Sequence, residues 1–545
     1  MSNKIPLIAA IVTAFAIPSL AFAQDVPWRV VLGSNASVTV PDLPAGTRSF
    51  SDEQLGHVGA GTVGVRLTSP SVAAGYWALK QGTWTQFTKN GVSGSSVGPG
   101  RTGPEAPHVF VSILTGGNSI GTDGQRGFIA SAGAPGDPNT TTWGVWRWDT
   151  TKNVELVRGL VEGANGPNLG FLGTGWVYQN SSTTFQNTAS MNNGQVLINA
   201  YVTSPSGQSR QYLAKSVPGQ PVTPCALRNA TDPSLAPGLA AGDYFSSTWI
   251  FSDLSVTQQG RVYGALSTSQ GRVGIWKLCE GAPQALAVNS ETGVLGPDIG
   301  IATATFTSFS SANPAVGDNF NFFATYRRSS GESSRQGLFW HDGTTNRPLA
   351  INDAANLYGP HWNDAIWSSF NFNSLSTAGE WSAFQGAAVA SDGGTPSGLW
   401  RVHTGGSPEL VALIGLVQYG PEPNRTWDAF YGNAVLANGD IIIEARTQPG
   451  SEYAVWLVKK DGTKQRILKV GQSVSVPTSS GIVQSTVTSY QLPGGAAAYG
   501  RGGDSWIGTD GSLLIRVGLT TYGSSLITAL PSNPVDKVYA NGFDG

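Results

Sequence analysis

Cysteine is almost missing from this 545-residue chain: Cys225 and Cys279 are the only two. Their spacing excludes a CxxC metal or redox pair, and in an exported chain two such cysteines default to a disulfide. Charge is scarce as well. Charged residues make up 12%, 32 basic residues nearly balance 34 acidic ones, and no basic run occurs. A nucleic-acid phosphate backbone therefore has nothing to bind, and nucleic acid is not an expected partner. After the opening segment no stretch reaches the roughly 18 consecutive apolar residues that cross a bilayer, so no membrane span is expected. Histidines number five. There is no HExxH helix motif, GxSxG nucleophile elbow, GxxxxGK[ST] phosphate loop or complete DxDxDG calcium loop, so no metal site and no cofactor is read from the sequence.

What is abundant is glycine, with 71 residues, proline, with 32, and tryptophan, with 17. That mixture suits many short strands joined by tight turns, and the aromatic content argues against disorder. The first residues, MSNKIPLIAAIVTAFAIPSLAFA, place Lys4 before an apolar run that ends in Ala21-Phe22-Ala23. This is the pattern of a cleaved signal peptide, assigned to residues 1–23. The expected organisation is a single domain over 24–522, followed by a tail over 523–545.

The domain is built from a repeat. GYWALKQG, GVWRWDTT, GIWKLCEG, GLFWHDG, GLWRVHTGG, AVWLVKKDG and SWIGTDG share a small residue, an apolar residue and an aromatic; RQYLAKSVPG is a weaker copy. The aromatic anchors are Trp77, Trp146, Tyr212, Trp276, Phe339, Trp400, Trp456 and Trp506. They lie about 50 to 70 residues apart, a longer period than that of compact blade repeats. Each anchor precedes a glycine-containing turn and then an apolar strand such as QALAV or PELVAL. Before most anchors come a strand opened by glycine, such as ANGDIIIEART, and a further extended segment, such as SSFNFNSLS. Four short antiparallel strands per unit and no helical period predict an all-β fold, a β-propeller of eight four-stranded blades, with seven as the alternative count. Anchors that recur in every unit are expected to pack blade on blade, because packing must recur whereas ligand contact need not. If Cys225 and Cys279 bond, they staple the third unit to the fourth.

The glycine-led strand followed by glycine-apolar-tryptophan resembles the exported bacterial tandem-repeat proteins described by an NxxGxxAF motif. Ser376-Thr377-Ala378-Gly379-Glu380-Trp381-Ser382-Ala383-Phe384 comes nearest, with one residue inserted; Asp123 to Phe128 and Asn438 to Ile443 match more loosely. The resemblance implies a secreted or surface repeat protein and no common chemistry. The closing DKVYANGFDG, through Asn541, Gly542, Phe543 and Asp544, resembles the NGFE or NGFD tail of exported xanthomonad-type proteins. It implies passage to the cell surface or medium, with the periplasm as the alternative location.

Candidate chemistry gathers in NLYGPHWNDAIW, Asn356 to Trp367. Tyr358 and His361 are the types that move protons, joined by His341 and His403 near the turns of adjacent units. Trp362, Asn363 and Asp364 are candidates for contact with a ligand, Trp362 by stacking on a sugar. His57 and His108 complete the histidines. The expected function is a secreted or surface propeller that binds a glycan or cell-envelope component as a monomer. A carbohydrate-active propeller enzyme, a polysaccharide lyase or glycosidase, is the second reading, and it requires these groups to converge.

Overall fold

The computed structural model describes residues 28–529 apart from 39–42, 44–45, 56–61, 70–71, 81–82, 115–123, 247–253, 257–259, 317–319, 353–356, 493–506 and 508–511. The expected signal peptide, the end of the tail, His57 and the anchor Trp506 lie outside the described residues.

Eight sheets follow one another along the chain as the blades of a β-propeller. Blades 1 to 7 span 49–86, 109–158, 177–227, 254–288, 305–351, 366–413 and 426–469, each with its strands antiparallel and in chain order. Blades 3 and 6 split the first position into two short strands, Val177–Tyr178 with Phe185–Ser190 and Ile366–Phe370 with Ser376–Ala378. First strands of successive blades lie against one another, as Leu254–Val256, Thr305–Val316, Ser376–Ala378 and Thr426–Val435 do, which makes them the inner layer of the ring.

The eighth sheet differs from the four-stranded unit expected. Ser473–Thr478, Gly481–Gln491, Leu513–Leu519 and Gly523–Ala529 are joined by Arg29–Gly33 from the start of the chain. This strand runs antiparallel to Gly523–Ala529 through pairs such as Val30↔Ile527 and meets Ser473–Thr478 in parallel at Arg29↔Ser475, so the sheet closes on itself. Both ends of the described chain thus meet in one sheet. A shared core of Val63, Val65, Ile442, Val455, Val474 and Ile527 joins it to blades 1 and 7. Burying the strand edges in a ring removes a surface on which other chains could pair. The seven residues Gly523–Ala529, expected to begin the tail, are instead a strand with Leu526, Ile527 and Ala529 buried.

Every described anchor sits in the third strand of its blade and is buried. Each leans on the preceding blade. Trp276 shares a core with Leu197 and Leu213 of blade 3, Phe339 with Ile275 and Ala287 of blade 4, Trp400 with Phe323 and Leu338 of blade 5, and Trp456 with Leu399 and Ala412 of blade 6. The glycine two residues earlier exists to hold the ring. A Cβ on Gly398 would lie 2.8 Å from Trp400 and 2.6 Å from the Ala412 carbonyl oxygen, and Gly144, Gly274 and Gly337 are crowded in the same way by Trp146, Trp276 and Phe339.

In blades 2, 3, 4 and 6 the loops between blades supply the polar half of this arrangement; the indole N–H groups of Trp77 and Trp456 are buried without a partner among the described residues. Indole N–H groups of Trp146, Trp276 and Trp400 donate to the carbonyls of Pro99, Pro237 and Pro360, and the Tyr212 hydroxyl donates to Pro167. A buried indole without such a partner would forfeit roughly 1–3 kcal/mol. Cys225, in the fourth strand of blade 3, is bonded to Cys279, at the end of the third strand of blade 4, so neighbouring blades are stapled.

Candidate functional site

Of the cluster Asn356–Trp367, Asn356 lies outside the described residues, Leu357 to Ala365 form the loop from blade 5 to blade 6, and Ile366 and Trp367 open the first strand of blade 6; much of it serves the frame. The Tyr358 carbonyl accepts the Trp367 indole N–H at 2.7 Å while Pro360 accepts that of Trp400. The next loop repeats the device: Trp427 donates to Tyr419, which again precedes Gly-Pro. Trp362 is buried in the core between blades 5 and 6, so its ring faces protein rather than solvent. His361, Asn363 and Asp364 are exposed and hold positive φ angles, and His361 Nε2 lies 3.4 Å from the Leu357 carbonyl.

The other histidines keep separate company. His341 Nδ1 lies 3.0 Å from Asn346 Oδ1 at the turn between the third and fourth strands of blade 5. Tyr358 lies beside Ile351, at the far end of that fourth strand, Asn346–Ile351. Five steps of about 3.3 Å separate the two, roughly 16 Å. His403 Nε2 lies 2.9 Å from Glu380 Oε2, with its ring edge-to-face on Trp381. His108 is buried with Nδ1 3.0 Å from Arg101; a guanidinium only donates, so that nitrogen accepts. Tyr358, His361, His341 and His403 thus share no hydrogen-bond partner. Among the described residues no group of three His, Cys, Asp or Glu side chains gathers as a metal site.

A different place is chemically richer. In blades 2, 5, 6 and 7 the second residue of the first strand is an aromatic followed by a one-residue bulge: Phe110-Val111-Ser112, Phe306-Thr307-Ser308, Trp367-Ser368-Ser369 and Trp427-Asp428-Ala429. A bulge leaves its extra residue outside the ladder and re-aims the side chain. Reading outward from the residue after the bulge, the paired positions on the second and third strands are Ser131 and Trp143 in blade 2, Thr325 and Gln336 in blade 5, and Ala387 and Ser397 in blade 6. In blade 7 they are Arg446 and Tyr453. The bulged position therefore carries valine, threonine or serine in blades 2, 5 and 6 and Asp428 here, with a cation and a phenol beside it; in blade 3 the bulge after Phe185 carries Gln186. Blade 7 has a second bulge between Phe430 and Gly432, and its extra residue is Tyr431.

These side chains form one group. Arg446 Nε donates to Asp428, Arg446 Nη1 donates to the Tyr453 hydroxyl at 3.3 Å, and the guanidinium lies 5.8 Å from the Tyr453 ring centre. The Tyr453 and Tyr431 rings stack at 5.5 Å and 27°, and the Tyr431 hydroxyl donates to that of Tyr453 at 3.4 Å. Both rings remain exposed, at 38% for Tyr431 and 44% for Tyr453, although large apolar surfaces are normally withdrawn from water. The shared hydrogen bond splits the two phenols. Tyr453 is lowered because its oxygen accepts from Tyr431 and Arg446, and Tyr431 is raised because it donates.

Two further groups adjoin. Glu444 lies two residues before Arg446 and so on the same face of its strand. Its half-buried carboxyl makes no hydrogen bond or ion pair among the described residues, and loss of water pushes its pKa up. Tyr490, from the eighth sheet, packs against the blade 7 core with its hydroxyl fully occluded and unpartnered. Burial, reinforced by Glu444, Tyr453 and Tyr431, pushes that phenol up as well. Sequence reading missed all six residues. The signal was present in the aligned first strands FVSI, FTSF, WSSF and WDAF, where one variable position turns acidic.

No protein-family model and no curated protein matches the sequence. Among solved structures the chain is similar to the β-propeller domain of the Trilobed protease from Pyrococcus furiosus, at 8% identity over 77% of this chain and 96% of that one, with a TM-score of 0.29. It is also similar to a polysaccharide lyase of the ulvan lyase type, at 11% identity over 93% and 96% with a TM-score of 0.28, and to the Aleuria aurantia lectin, at 10% over 76% and 92% with a TM-score of 0.21. At such values the reading of the site rests on the residues described above.

Proposed function

We propose that the chain is an exported β-propeller that binds a glycan, or a glycan-bearing component of the cell envelope, as a monomer at the rim of blade 7. One observation carries this reading: Asp428, Arg446 and Tyr453 occupy paired positions that blades 2, 5 and 6 fill with unrelated residues, so the frame of those blades does without them. An exposed ring pair offers a sugar its faces and edges, and the adjacent guanidinium, carboxylate and phenols offer the directional hydrogen bonds that fix orientation. Binding is favoured over catalysis because His341 and His403 keep separate partners, Asn346 and Glu380, so the histidines of adjacent blades do not form one hydrogen-bonded group with Tyr358 and His361.

Export rests on the apolar opening segment with Ala21-Phe22-Ala23, and passage beyond the periplasm on Asn541-Gly542-Phe543-Asp544. A glycan microarray with the purified mature chain and its Tyr453→Ala variant tests the binding site. The expected result is retention by the parent and loss by the variant; equal retention would contradict it. Immunoblotting of culture medium against periplasm tests the location, and full-length protein confined to the periplasm would remove the tail as a sorting signal.

A further inference from the structure

We infer that Tyr431 and Tyr453 form a site of oxidative modification, at which one-electron oxidation joins the two rings as an intramolecular dityrosine. The inference goes beyond the glycan-binding reading, because it uses only the ring pair and holds whatever the rim binds. Tyr431 comes from the first strand of blade 7, Thr426–Val435, and Tyr453 from the third, Glu452–Val458, so the new bond bridges the second strand, Ile441–Gln448, that lies between them. The rings stack with their centres 5.5 Å apart and 27° between their planes, and the hydroxyl oxygens lie 3.4 Å apart. A tyrosyl radical carries spin on the ring carbons beside its hydroxyl, so the contact that aligns the hydroxyls also sets the carbons that couple next to one another.

Access separates this pair from Tyr178 and Tyr212. Those rings are nearly as close, with centres 6.0 Å apart, but both are fully buried in blade 3, and burial pushes both phenols up, away from the readily oxidised phenolate. Among the described residues Tyr431 and Tyr453 are the two exposed tyrosines. The Tyr453 oxygen accepts from Tyr431 and from Arg446 Nη1, which favours the phenolate, and a phenolate gives up an electron more readily than a phenol. Tyr431 supplies the second radical beside it. The oxidant is hydrogen peroxide acting through a haem peroxidase. Each phenol loses one electron and its hydroxyl proton, the two radicals join by a bond between carbons ortho to the oxygens, and the protons on those carbons shift to the oxygens to restore both phenols. The two electrons and two protons released reduce the peroxide to two waters.

The test treats the full mature chain with a haem peroxidase and limiting hydrogen peroxide, then unfolds it and digests it with trypsin. Cleavage after Arg425, Arg446 and Lys459 places Tyr431 in the peptide 426–446 and Tyr453 in the peptide 447–459, so a bond between the rings joins two separate peptides. The expected product is that joined pair, lighter than the sum of its parts by two hydrogen atoms, with dityrosine fluorescence and a chain that still runs as a monomer on a denaturing gel. Tyr431→Phe and Tyr453→Phe, which each remove only a hydroxyl, should each abolish the joined peptide and bring the fluorescence to background, whereas Tyr178→Phe should leave both unchanged. Absence of the joined peptide from the oxidised parent overturns the site, whether the tyrosines stay unmodified or couple between molecules. Fluorescence that survives both rim substitutions and disappears with Tyr178→Phe overturns it as well. Thermal melts before oxidation confirm that each variant is folded.

Discussion

Blades 6 and 7 are the same object at two levels and different objects at a third. Both bury a third-strand tryptophan against the preceding blade, Trp400 and Trp456, and both tie a first-strand indole to a Tyr-Gly-Pro loop, at Tyr358 and Tyr419. Both bulge after that first-strand tryptophan. At the rim, blade 6 then presents Ser368, Ala387 and Ser397, whereas blade 7 presents Asp428, Arg446 and Tyr453. Ser368 makes one hydrogen bond to the Ala387 carbonyl; the blade 7 trio makes an ion pair, a charge-assisted hydrogen bond and a ring contact. Between these two blades the frame is held constant while one patch of surface varies, which is why the proposed ligand site is placed on the patch.

The largest effect should come from breaking what the blades share. Trp400→Ala empties a site that is fully buried and is expected to cost about 3–5 kcal/mol, read by denaturant unfolding, with any rim function lost only through unfolding. Gly398→Ala should come next, at about 1–3 kcal/mol, because the added methyl meets the Trp400 ring and a carbonyl oxygen of the neighbouring strand. An unchanged midpoint for this variant would refute the claim that the glycine makes room for the indole. Next in size, Tyr453→Ala should lower glycan affinity by about tenfold, measured by titration, while the melting temperature moves by less than about 2 °C.

The smallest effect tests a turn. Burial by itself would raise the Asp342 carboxyl, but hydrogen bonds from the Thr344 hydroxyl and the backbone amides of Thr345 and Thr344, with the charge of Arg347, hold it down at about 2. A carboxylate depressed in the folded state adds stability above its unfolded pKa, and that stability disappears as pH falls through the folded value. Asp342→Asn should therefore lose about 0.5 kcal/mol at neutral pH, and the difference from the parent should shrink between pH 4 and about pH 2. A difference that grows on acidification would contradict this account.

The sequence made the repeat legible because the packing requirement recurs: Gly398 with Trp400, Gly274 with Trp276 and Gly144 with Trp146 are the same contact in three blades. The disulfide was legible for a related reason, since each cysteine could be placed on a unit before the units were placed in space. The closing sheet was not, because its fifth strand comes from Arg29–Gly33, far away in the chain, and a local pattern holds no information about that pairing. The blade 7 group was not legible in the sequence for a physical reason too. Asn356–Trp367 looked functional because it is rich in polar and aromatic types, yet much of what it contributes is carbonyl oxygens and a buried ring. The blade 7 rim is spread over three successive strands, so Asp428, Arg446 and Tyr453 meet only through register.

The central claim is that the rim of blade 7 is a ligand site standing on a frame indifferent to it. Its most direct test is binding of the best-retained glycan to a chain in which blade 7 carries the blade 6 residues, Asp428→Ser, Arg446→Ala and Tyr453→Ser together, with a thermal melt of the same sample. The account predicts a folded protein whose melting temperature lies within about 4 °C of the parent and whose glycan binding is abolished. Binding at parental strength in that folded variant would contradict it.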